Sequence, residues 1–363
     1  KRRNSREVAM KQLNVGIVGT GWCGGIRANT CASSALVNEV HIAEIKADRL
    51  AEVAKEIGAL TTTADYKQLL DNNNIDVIIV SATPEHTHYT MTRDSLLSGK
   101  HVLLEKPLAL ELDEADELIE IANNAKLKFA IGYSQRFNPK FAYVKQCMSD
   151  GTLGDPVTAL VSRHITRNLG KKISGRIKLS PAAMEATHDI DFVLWCLEPA
   201  KPIRVYAQAV NRVMKADYDV ADCMWITVTM DDGTVFTIGA GWIMPPAYPN
   251  FSSTTIEFIG SEAALMVDDS HRDVVLSRME KGTVFPMSTM PGEPVGHVFA
   301  GPMHNETIHF LEAVAYDRPV MATAEQARQV MEVYMAADLS AESNLPVSLP
   351  LAGSGGLKLA AFG

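Results

Sequence analysis

Residues 13–24 read Leu-Asn-Val-Gly-Ile-Val-Gly-Thr-Gly-Trp-Cys-Gly. The run of apolar and β-branched side chains at its start predicts a strand over Leu13–Val18. Three glycines then follow at the spacing G-x-G-x-x-G, namely Gly19, Gly21 and Gly24, and a helical stretch comes after them. In such a turn the first glycine permits the tight bend, the second lets backbone approach a pyrophosphate, and the third brings helix close to strand. The stretch therefore predicts an anion-binding turn at a helix N-terminus.

The residues around this turn point to a dinucleotide. Trp22 and Cys23 lie between the glycines and are expected to contact it. Glu44 ends the next predicted strand, twenty residues after the last glycine. Its carboxylate can accept hydrogen bonds from both ribose hydroxyls and would repel a 2′-phosphate, which favours NAD over NADP. Lys46 and Arg49 are close enough in sequence to bind such a phosphate, so NADP is not excluded.

The first third of the chain alternates short strands with amphipathic helices. This alternation predicts right-handed crossovers and a parallel, doubly wound Rossmann sheet over residues 11–132. The further strands are predicted at Val40–Glu44, Val77–Val80, His101–Leu104 and Lys128–Ile131, and helices at Arg49–Glu56, Tyr89–Leu97 and Leu112–Asn123.

From about residue 155 the pattern changes to longer, partly alternating strands with hairpin signals at residues 231–233 and 260–262. It predicts a second α/β domain over residues 133–350, with an open, mostly antiparallel sheet closed by two helices. The strands are predicted at Val157–His164, Ile203–Val210, Met224–Met230, Thr234–Gly241, Thr254–Gly260 and Ala264–Asp268, and the helices at Asn305–Tyr316 and, after a Thr323 cap, Ala324–Ser343.

Composition narrows the class of protein. The chain has 363 residues, 47% hydrophobic and 21% charged, which predicts a globular protein of two domains. Its net charge of −9, with no basic cluster expected inside the folded body, argues against a nucleic acid partner. Five scattered cysteines without metal-ligand spacing suggest reduced thiols, no metal site and a cytoplasmic location. None of the apolar runs is long enough to predict a membrane span. Residues 1–9 and 354–363 are interpreted as additions to the natural chain.

Several further motifs occur in a fixed order. Ser81–His88 follows the third predicted strand, and Glu105-Lys106-Pro107 follows the fourth. Together with the glycine turn, and with residues 132–139 and 187–191, these motifs resemble the glucose–fructose oxidoreductase, inositol dehydrogenase and MocA family. The resemblance extends from about residue 12 to 345, and the Glu-Lys-Pro step is its most specific part.

The resemblance implies an activity. Members of that family transfer a hydride between a nicotinamide cofactor and a secondary hydroxyl or carbonyl of a sugar, cyclitol or related ring. It implies a homodimer or homotetramer formed through the outer face of the C-terminal sheet. It also places the family's catalytic lysine on Lys106 and its catalytic histidine on His188.

Elementary chemistry agrees with those two positions. An alcohol gives up a hydride readily only if its hydroxyl proton leaves at the same time, and an imidazole such as His188 is a suitable base. Lys106 would stabilise negative charge on the substrate oxygen. Many members of the family carry Asp where this chain has Met184. Glu185, three residues before His188, either takes over by orienting the ring or binding a substrate hydroxyl, or is simply exposed.

Further site residues are predicted from these motifs. The expected cofactor contacts add Ala82, Thr83, Pro84, His88, Glu105 and Arg136, and the expected substrate contacts add Arg163, His164 and Trp242. Three of them have an equally ordinary explanation. His88 is also suited to capping the helix that follows, Arg136 to a fold-supporting ion pair, and Trp242 to core packing.

Three functions fit the sequence. The first is an NAD-linked dehydrogenase or reductase acting on a ring polyol. The second is a redox-neutral lyase or glycosidase that oxidises its substrate transiently and regenerates NAD in place. The third is a non-catalytic sensor that binds dinucleotide and a partner protein; Met184 favours it, and the presence of Lys106 and His188 opposes it.

Overall fold

The computed structural model describes residues 12–250, 252–270, 274–280, 282–286 and 292–351. The two proposed additions, residues 1–9 and 354–363, lie outside these ranges.

A six-stranded parallel sheet occupies the first third of the chain, in the order β3-β2-β1-β4-β5-β6. The predicted doubly wound fold is therefore confirmed. Its strands are β1 (Leu13–Val18), β2 (Val37–Ala43), β3 (Thr61–Thr63), β4 (Val77–Val80), β5 (His101–Leu104) and β6 (Phe129–Ile131). Its helices are α1 (Trp22–Ser33), α2 (Ala47–Ile57), α3 (Lys67–Leu70), α4 (His88–Leu97) and α5 (Leu112–Asn124).

Strand β3 was not predicted. It consists of three threonines at the edge of the sheet, and most of its surface is exposed. The hydrophobic pattern that reveals a buried strand is absent from such an edge segment. The strands that carry the site, β1, β4 and β5, begin and end at the predicted residues, because each is a short, mostly apolar run in the centre of the sheet.

A second, seven-stranded sheet follows in the order β12-β11-β7-β10-β9-β8-β17. All neighbouring pairs are antiparallel except β7 with β10, so the expected mostly antiparallel sheet is confirmed. Its strands are β7 (Pro156–Thr166), β8 (Pro202–Val210), β9 (Cys223–Met230), β10 (Val235–Met244), β11 (Ser252–Gly260), β12 (Ala264–Asp268) and β17 (Val347–Ser348).

Two small hairpins and six helices complete the described chain. The hairpins pair β13 (Leu276–Arg278) with β14 (Gly282–Val284) and β15 (Glu293–Val295) with β16 (Val298–Ala300). The helices are α6 (Pro139–Ser149), α7 (Arg167–Ser174), α8 (Thr187–Leu197), α9 (Lys215–Tyr218), α10 (Pro302–Ala315) and α11 (Ala324–Ser343). Helix α11 begins at the predicted Thr323 cap, which forms a capping box with Gln326.

Helix α10 packs against the first sheet although it lies far along the chain. Phe310 and Leu311 are buried in the same core cluster as Leu13, Val15 and Ile17 of β1. The Rossmann sheet therefore depends on a C-terminal helix for part of its cover. This packing also brings polar residues of α10 near the end of β5.

The second sheet has two unlike faces. Its inner face is buried against α8 and α11, and it carries Val161, Phe236 and Trp242. Its outer face exposes large apolar side chains, among them Leu160, Tyr206, Trp225, Ile259 and Met266. No helix of the described chain is both long and apolar enough to span a membrane.

Candidate active site

The glycine turn after β1 is shaped by close backbone contacts. Gly19 has φ of +82°, and a Cβ there would lie 2.6 Å from the Cα of Ala82. A Cβ at Gly24 would lie 1.9 Å from the carbonyl oxygen of Gly19. A Cβ at Gly21 would meet nothing within 4 Å, and Gly21 stands at the start of α1 without a side-chain cap. The turn thus leaves backbone N–H groups open at a helix N-terminus.

Glu44 lies just past the end of β2, beside this turn. Its carboxylate accepts hydrogen bonds from the backbone N–H of Thr20 at 2.8 Å, the Thr20 hydroxyl at 3.1 Å and the backbone N–H of Lys46 at 3.0 Å. Burial raises the pKa of Glu44, but these hydrogen bonds outweigh it and hold the pKa below its ordinary value. Arg49 donates to the carbonyl of Thr20 at 2.7 Å, so this possible phosphate ligand is already occupied.

The loop after β4 packs directly against the glycine turn. Ala82 touches Gly19, and the Thr83–Pro84 peptide bond that follows is cis. Trp22 is 62% exposed on the open side of the turn, whereas Cys23 lies near the end of β5. Burial raises the pKa of the Cys23 thiol to about 12, and the Glu105 carboxylate adds to the shift. All five cysteines are free, and no cluster of metal-binding side chains occurs among the described residues.

Glu105 takes part in a buried ion network that crosses the molecule. Arg27 of α1 contacts Glu105 and Glu306 of α10, each at 2.6 Å. Burial raises the pKa of Glu306 to about 8, and the neighbouring Glu105 charge adds to the rise while Arg27 opposes it. The network anchors the residue before Lys106 to a helix near the other end of the chain.

Lys106 contacts Met184, the position at which the resemblance leads us to expect an Asp. Its ammonium group donates to the backbone carbonyl of Met184 at 2.9 Å and lies 3.5 Å from the Met184 sulfur. Met184 belongs to a π-helical turn, Ala182–Ala186, immediately before α8. Such turns occur often at functional sites, because the widened backbone re-aims side chains and carbonyls. Within the part of the chain that the structure describes, Lys106 contacts only these two uncharged atoms of Met184, so no direct ion pair neutralises its positive charge.

Glu185 points into the same region and is held by Trp242. The indole N–H of Trp242, which is fully buried, donates to the Glu185 carboxylate at 3.2 Å. Burial raises the pKa of Glu185, while the charge of Lys106, the Trp242 hydrogen bond and the charge of Arg163 oppose the rise. These contacts exclude the alternative in which the Glu185 side chain is simply exposed to solvent.

His188 is the third member of this group. Burial lowers its pKa well below 6.5, and the charges of Lys106 and Arg163 lower it further, so the imidazole is neutral at physiological pH. Its Nδ1 atom is buried and has no hydrogen-bond partner within the described part of the chain. The ring stands edge-on to Tyr133, with centroids 6.3 Å apart, and the Tyr133 hydroxyl is 3.0 Å from that of Thr187.

Four residues predicted to contact a ligand either have partners within the protein or lie on another face of a sheet. Arg136 forms a buried two-point ion pair with Asp191, with N–O distances of 2.9 and 2.6 Å, so its fold-supporting alternative is the one the structure shows. Arg163 pairs in the same way with Asp189, at 2.7 and 2.8 Å. Both guanidinium groups are committed to carboxylates of α8 and orient that helix.

His164 and His88 make up the rest. His164 lies on the outer face of the second sheet, 6.1 Å from the Trp225 ring, because alternation along β7 directs it away from Arg163. His88 is buried, and its ring nitrogens lie 2.8 Å from the carbonyl oxygen of Pro107 and 3.0 Å from that of Ala82. It joins the loops after β4 and β5 and does not cap α4, which has no side-chain cap hydrogen bond.

Some features of the site escaped the sequence analysis. The hydrogen bonds of Thr20 to Glu44 and the pairing of Asp189 with Arg163 are long-range contacts without a motif. The statement that the folded body holds no basic cluster was wrong, because residues 163–178 contain six Lys or Arg and no acid. A running charge count would have found this segment.

Comparison with known proteins identifies the two halves of the chain. A family model described as "Oxidoreductase family, NAD-binding Rossmann fold" matches residues 13–133, and one described as "GFO/IDH/MocA C-terminal domain" matches residues 141–266. Together the two models cover more than half of the chain.

Individual relatives match over nearly the whole length. The UDP-N-acetylglucosamine 3-dehydrogenase of Acidithiobacillus ferrooxidans is 25% identical over 93% of this chain and 99% of its own. The scyllo-inositol 2-dehydrogenase (NAD(+)) of Bacillus subtilis is 24% identical over 93% and 96%. The crystal structure of a Lactobacillus casei scyllo-inositol dehydrogenase with NAD(H) and scyllo-inositol superimposes with a TM-score of 0.81 at 22% identity, covering 93% of this chain and 99% of that one.

Proposed function

The chain belongs to the GFO/IDH/MocA family of NAD-binding oxidoreductases, and on that premise we propose that it oxidises or reduces a secondary hydroxyl or carbonyl on a sugar, cyclitol or related ring. The relatives named for inositol and UDP-N-acetylglucosamine support this substrate class. The observation that carries the proposal is the grouping of Lys106, Glu185 and His188 around the end of β5, beside the glycine turn.

The residues of the first domain suit NAD. The open backbone at Gly21 gives a pyrophosphate room to approach, and the close contact at Gly24 brings α1 near it. Glu44, fixed in its ionised form, would accept hydrogen bonds from the adenosine ribose and disfavour a 2′-phosphate. Ala82, Thr83, Pro84 and Glu105 would border the nicotinamide end. When bound, NAD supplies the acceptor for the hydride.

His188 is proposed as the base that takes the hydroxyl proton. A neutral imidazole has a free nitrogen lone pair. Its Nε2 atom, which is not sealed from solvent as Nδ1 is, is suited to accept a proton from a substrate hydroxyl. The edge of the Tyr133 ring and the ion pair between Arg163 and Asp189 hold α8 and its histidine in place.

Lys106 and Glu185 are proposed to handle the charge that develops on the substrate. The ammonium group of Lys106 retains hydrogen-bonding capacity beyond its contacts with Met184, and it would stabilise negative charge on the reacting oxygen. Glu185, restrained by Trp242, would accept a hydrogen bond from a neighbouring ring hydroxyl. Glu185 would thus supply the carboxylate that the neighbouring Met184 cannot.

The outer face of the second sheet is proposed as the contact between subunits of a homodimer or homotetramer. Leu160, Trp225, Ile259 and Met266 form an exposed apolar surface there, and a monomeric soluble protein rarely leaves such a surface open. The free cysteines support a cytoplasmic location.

The test is the appearance of NADH absorbance across a panel of sugars, cyclitols, glycosides and cyclic diols, with NAD and NADP run side by side. Steady reduction of NAD by one ring class supports the proposal. Conversion of a ring to a product of different mass without net NADH would instead identify the redox-neutral lyase. Dinucleotide binding without any conversion would identify the sensor.

A further inference from the structure

The segment between β7 and the catalytic turn is strongly basic. Residues 156–184 contain no Asp or Glu and six Lys or Arg, in a chain whose net charge is −9. The six cations are Arg163, Arg167, Lys171, Lys172, Arg176 and Lys178. The segment, here called the basic strap and defined as residues 163–178, runs from the end of β7 through α7 toward the π-helical turn.

Most cations of the basic strap already have partners. Arg163 pairs with Asp189, and Arg176 pairs with Glu85 in the loop after β4. Lys171 lies 5.3 Å from the centroid of the Tyr218 ring, and Lys178 donates to the Tyr218 carbonyl. These contacts fasten the strap to both domains, so the two remaining cations are held in a defined place.

Arg167 and Lys172 have no hydrogen-bond or ion-pair partner among the residues that the structure describes, but their settings differ. Lys172 is exposed to solvent. Arg167, the first residue of α7, is partly buried, and its Nε atom is sealed from solvent without an acceptor. The two terminal nitrogens of the guanidinium group are neither sealed in this way nor bound by a described residue, so they are available to a ligand that accepts hydrogen bonds.

The position of α7 brings Arg167 to the edge of the site. Gly170 sits so close to Trp242 that a Cβ on it would lie 2.5 Å from the Trp242 Cβ. Trp242 in turn binds Glu185. Residues three apart share a helix face, so Arg167 lies on the side of α7 that faces Trp242, whereas Lys172 lies on another side.

Arg167 is a cation at this edge that no described carboxylate binds. Lys106 donates to the carbonyl and sulfur of Met184 and has the Glu185 carboxylate near it, whereas His188 is uncharged. Resting on the proposed function, we propose that the ring substrate carries an oxyanion group, a phosphate or a carboxylate, and that Arg167 binds it. Guanidinium groups suit this task because their paired N–H donors match two oxygens at once. The named relatives do not decide the matter, since they include enzymes for an uncharged cyclitol and for a nucleotide sugar.

The test is calorimetric binding in the presence of saturating NAD, with glucose 6-phosphate, UDP-glucose, glucuronate, glucose and myo-inositol as probes. We expect at least one anionic ring to bind about tenfold or more tightly than the uncharged rings, with affinity falling as salt increases. The anion that binds most tightly distinguishes phosphate from carboxylate.

Substitutions at Arg167 and Lys172 test which residue binds the anionic group. Arg167→Ala should weaken the anionic ring about tenfold or more and leave glucose and myo-inositol unchanged. Lys172→Ala removes the same charge from the same helix and should change neither. Arg167→Gln, which keeps the side-chain stem as far as Cδ and a polar end without the charge, covers the case in which Arg167→Ala melts at a lower temperature.

Two results separate this inference from the proposed function. NADH formed from an uncharged ring, at a rate and affinity that Arg167→Gln does not alter, would overturn the anion site and leave the dehydrogenase standing. An anionic ring that binds through Arg167, with no NADH formed from any ring in the panel, would overturn the dehydrogenase and leave the anion site standing.

Discussion

The site has two halves: a cofactor side formed mainly by backbone and a substrate side formed mainly by side chains. On the cofactor side, function rests on backbone: a Cβ at Gly19 or Gly24 would collide with the turn, and Gly21 leaves its outer side open. On the substrate side it rests on side chains that meet from distant parts of the chain, as Lys106 meets Met184 and Trp242 meets Glu185. The first half is a local property of twelve residues, whereas the second exists only once both sheets have packed.

This difference predicts that the two halves can be damaged separately. A change in the glycine turn should impair dinucleotide binding, while a change around Glu185 should impair turnover and its pH dependence with little effect on binding. A change in the ion network that joins the halves should affect stability.

The largest effect on NAD affinity is expected at Gly21. Gly21→Ala adds a Cβ that meets no protein atom but stands where the backbone approaches pyrophosphate. We expect NAD affinity to fall on the order of 10- to 100-fold with the melting temperature unchanged. Gly24→Ala is the matched control, because its Cβ would collide with the Gly19 carbonyl and should destabilise the fold itself. NAD titration and thermal melting of both variants test this prediction. Equal melting temperatures for Gly21→Ala and Gly24→Ala would contradict it.

A smaller effect is expected at Trp242. Trp242→Phe removes the N–H that stabilises the Glu185 carboxylate, so the pKa of Glu185, already raised by burial, should rise further. If turnover needs the ionised carboxylate, the acidic limb of the kcat/KM profile moves to higher pH. At pH values on that limb, kcat/KM of the variant falls about tenfold. Trp225→Phe, on the outer face, controls for loss of an indole. A pH profile identical to that of the unaltered protein would rule out this role for Glu185.

The smallest effect is expected at Glu306. Its pKa is raised from 4.5 to about 8, chiefly by burial, so the stability that its protonated form provides is present below pH 4.5 and is lost as pH rises through 8. Glu306→Gln keeps a neutral group against Arg27 at every pH. Its unfolding free energy relative to the unaltered protein should rise between pH 5 and 8, on the order of 2 kcal/mol. Urea unfolding at both pH values measures this, and a difference that is constant with pH would refute it.

The same contrast explains how far the sequence could be used. The glycine turn, β1, β4, β5 and the Thr323 cap depend on neighbouring residues, and their positions were predicted. The π-helical turn, the partners of Arg136 and Arg163, and the direction of His164 depend on packing between distant elements, and the sequence did not reveal them. Arg136 illustrates the limit, because its motif gave no indication of Asp191 as its partner.

The division between the two halves is tested most directly by measuring NAD affinity and turnover on one preparation of Lys106→Met. This substitution removes the ammonium group at the boundary of the two halves and leaves a side chain of similar length. The account predicts that turnover falls on the order of 10³-fold while the dissociation constant for NAD changes by no more than about twofold. Retained turnover, or an equal loss of NAD binding, would contradict it.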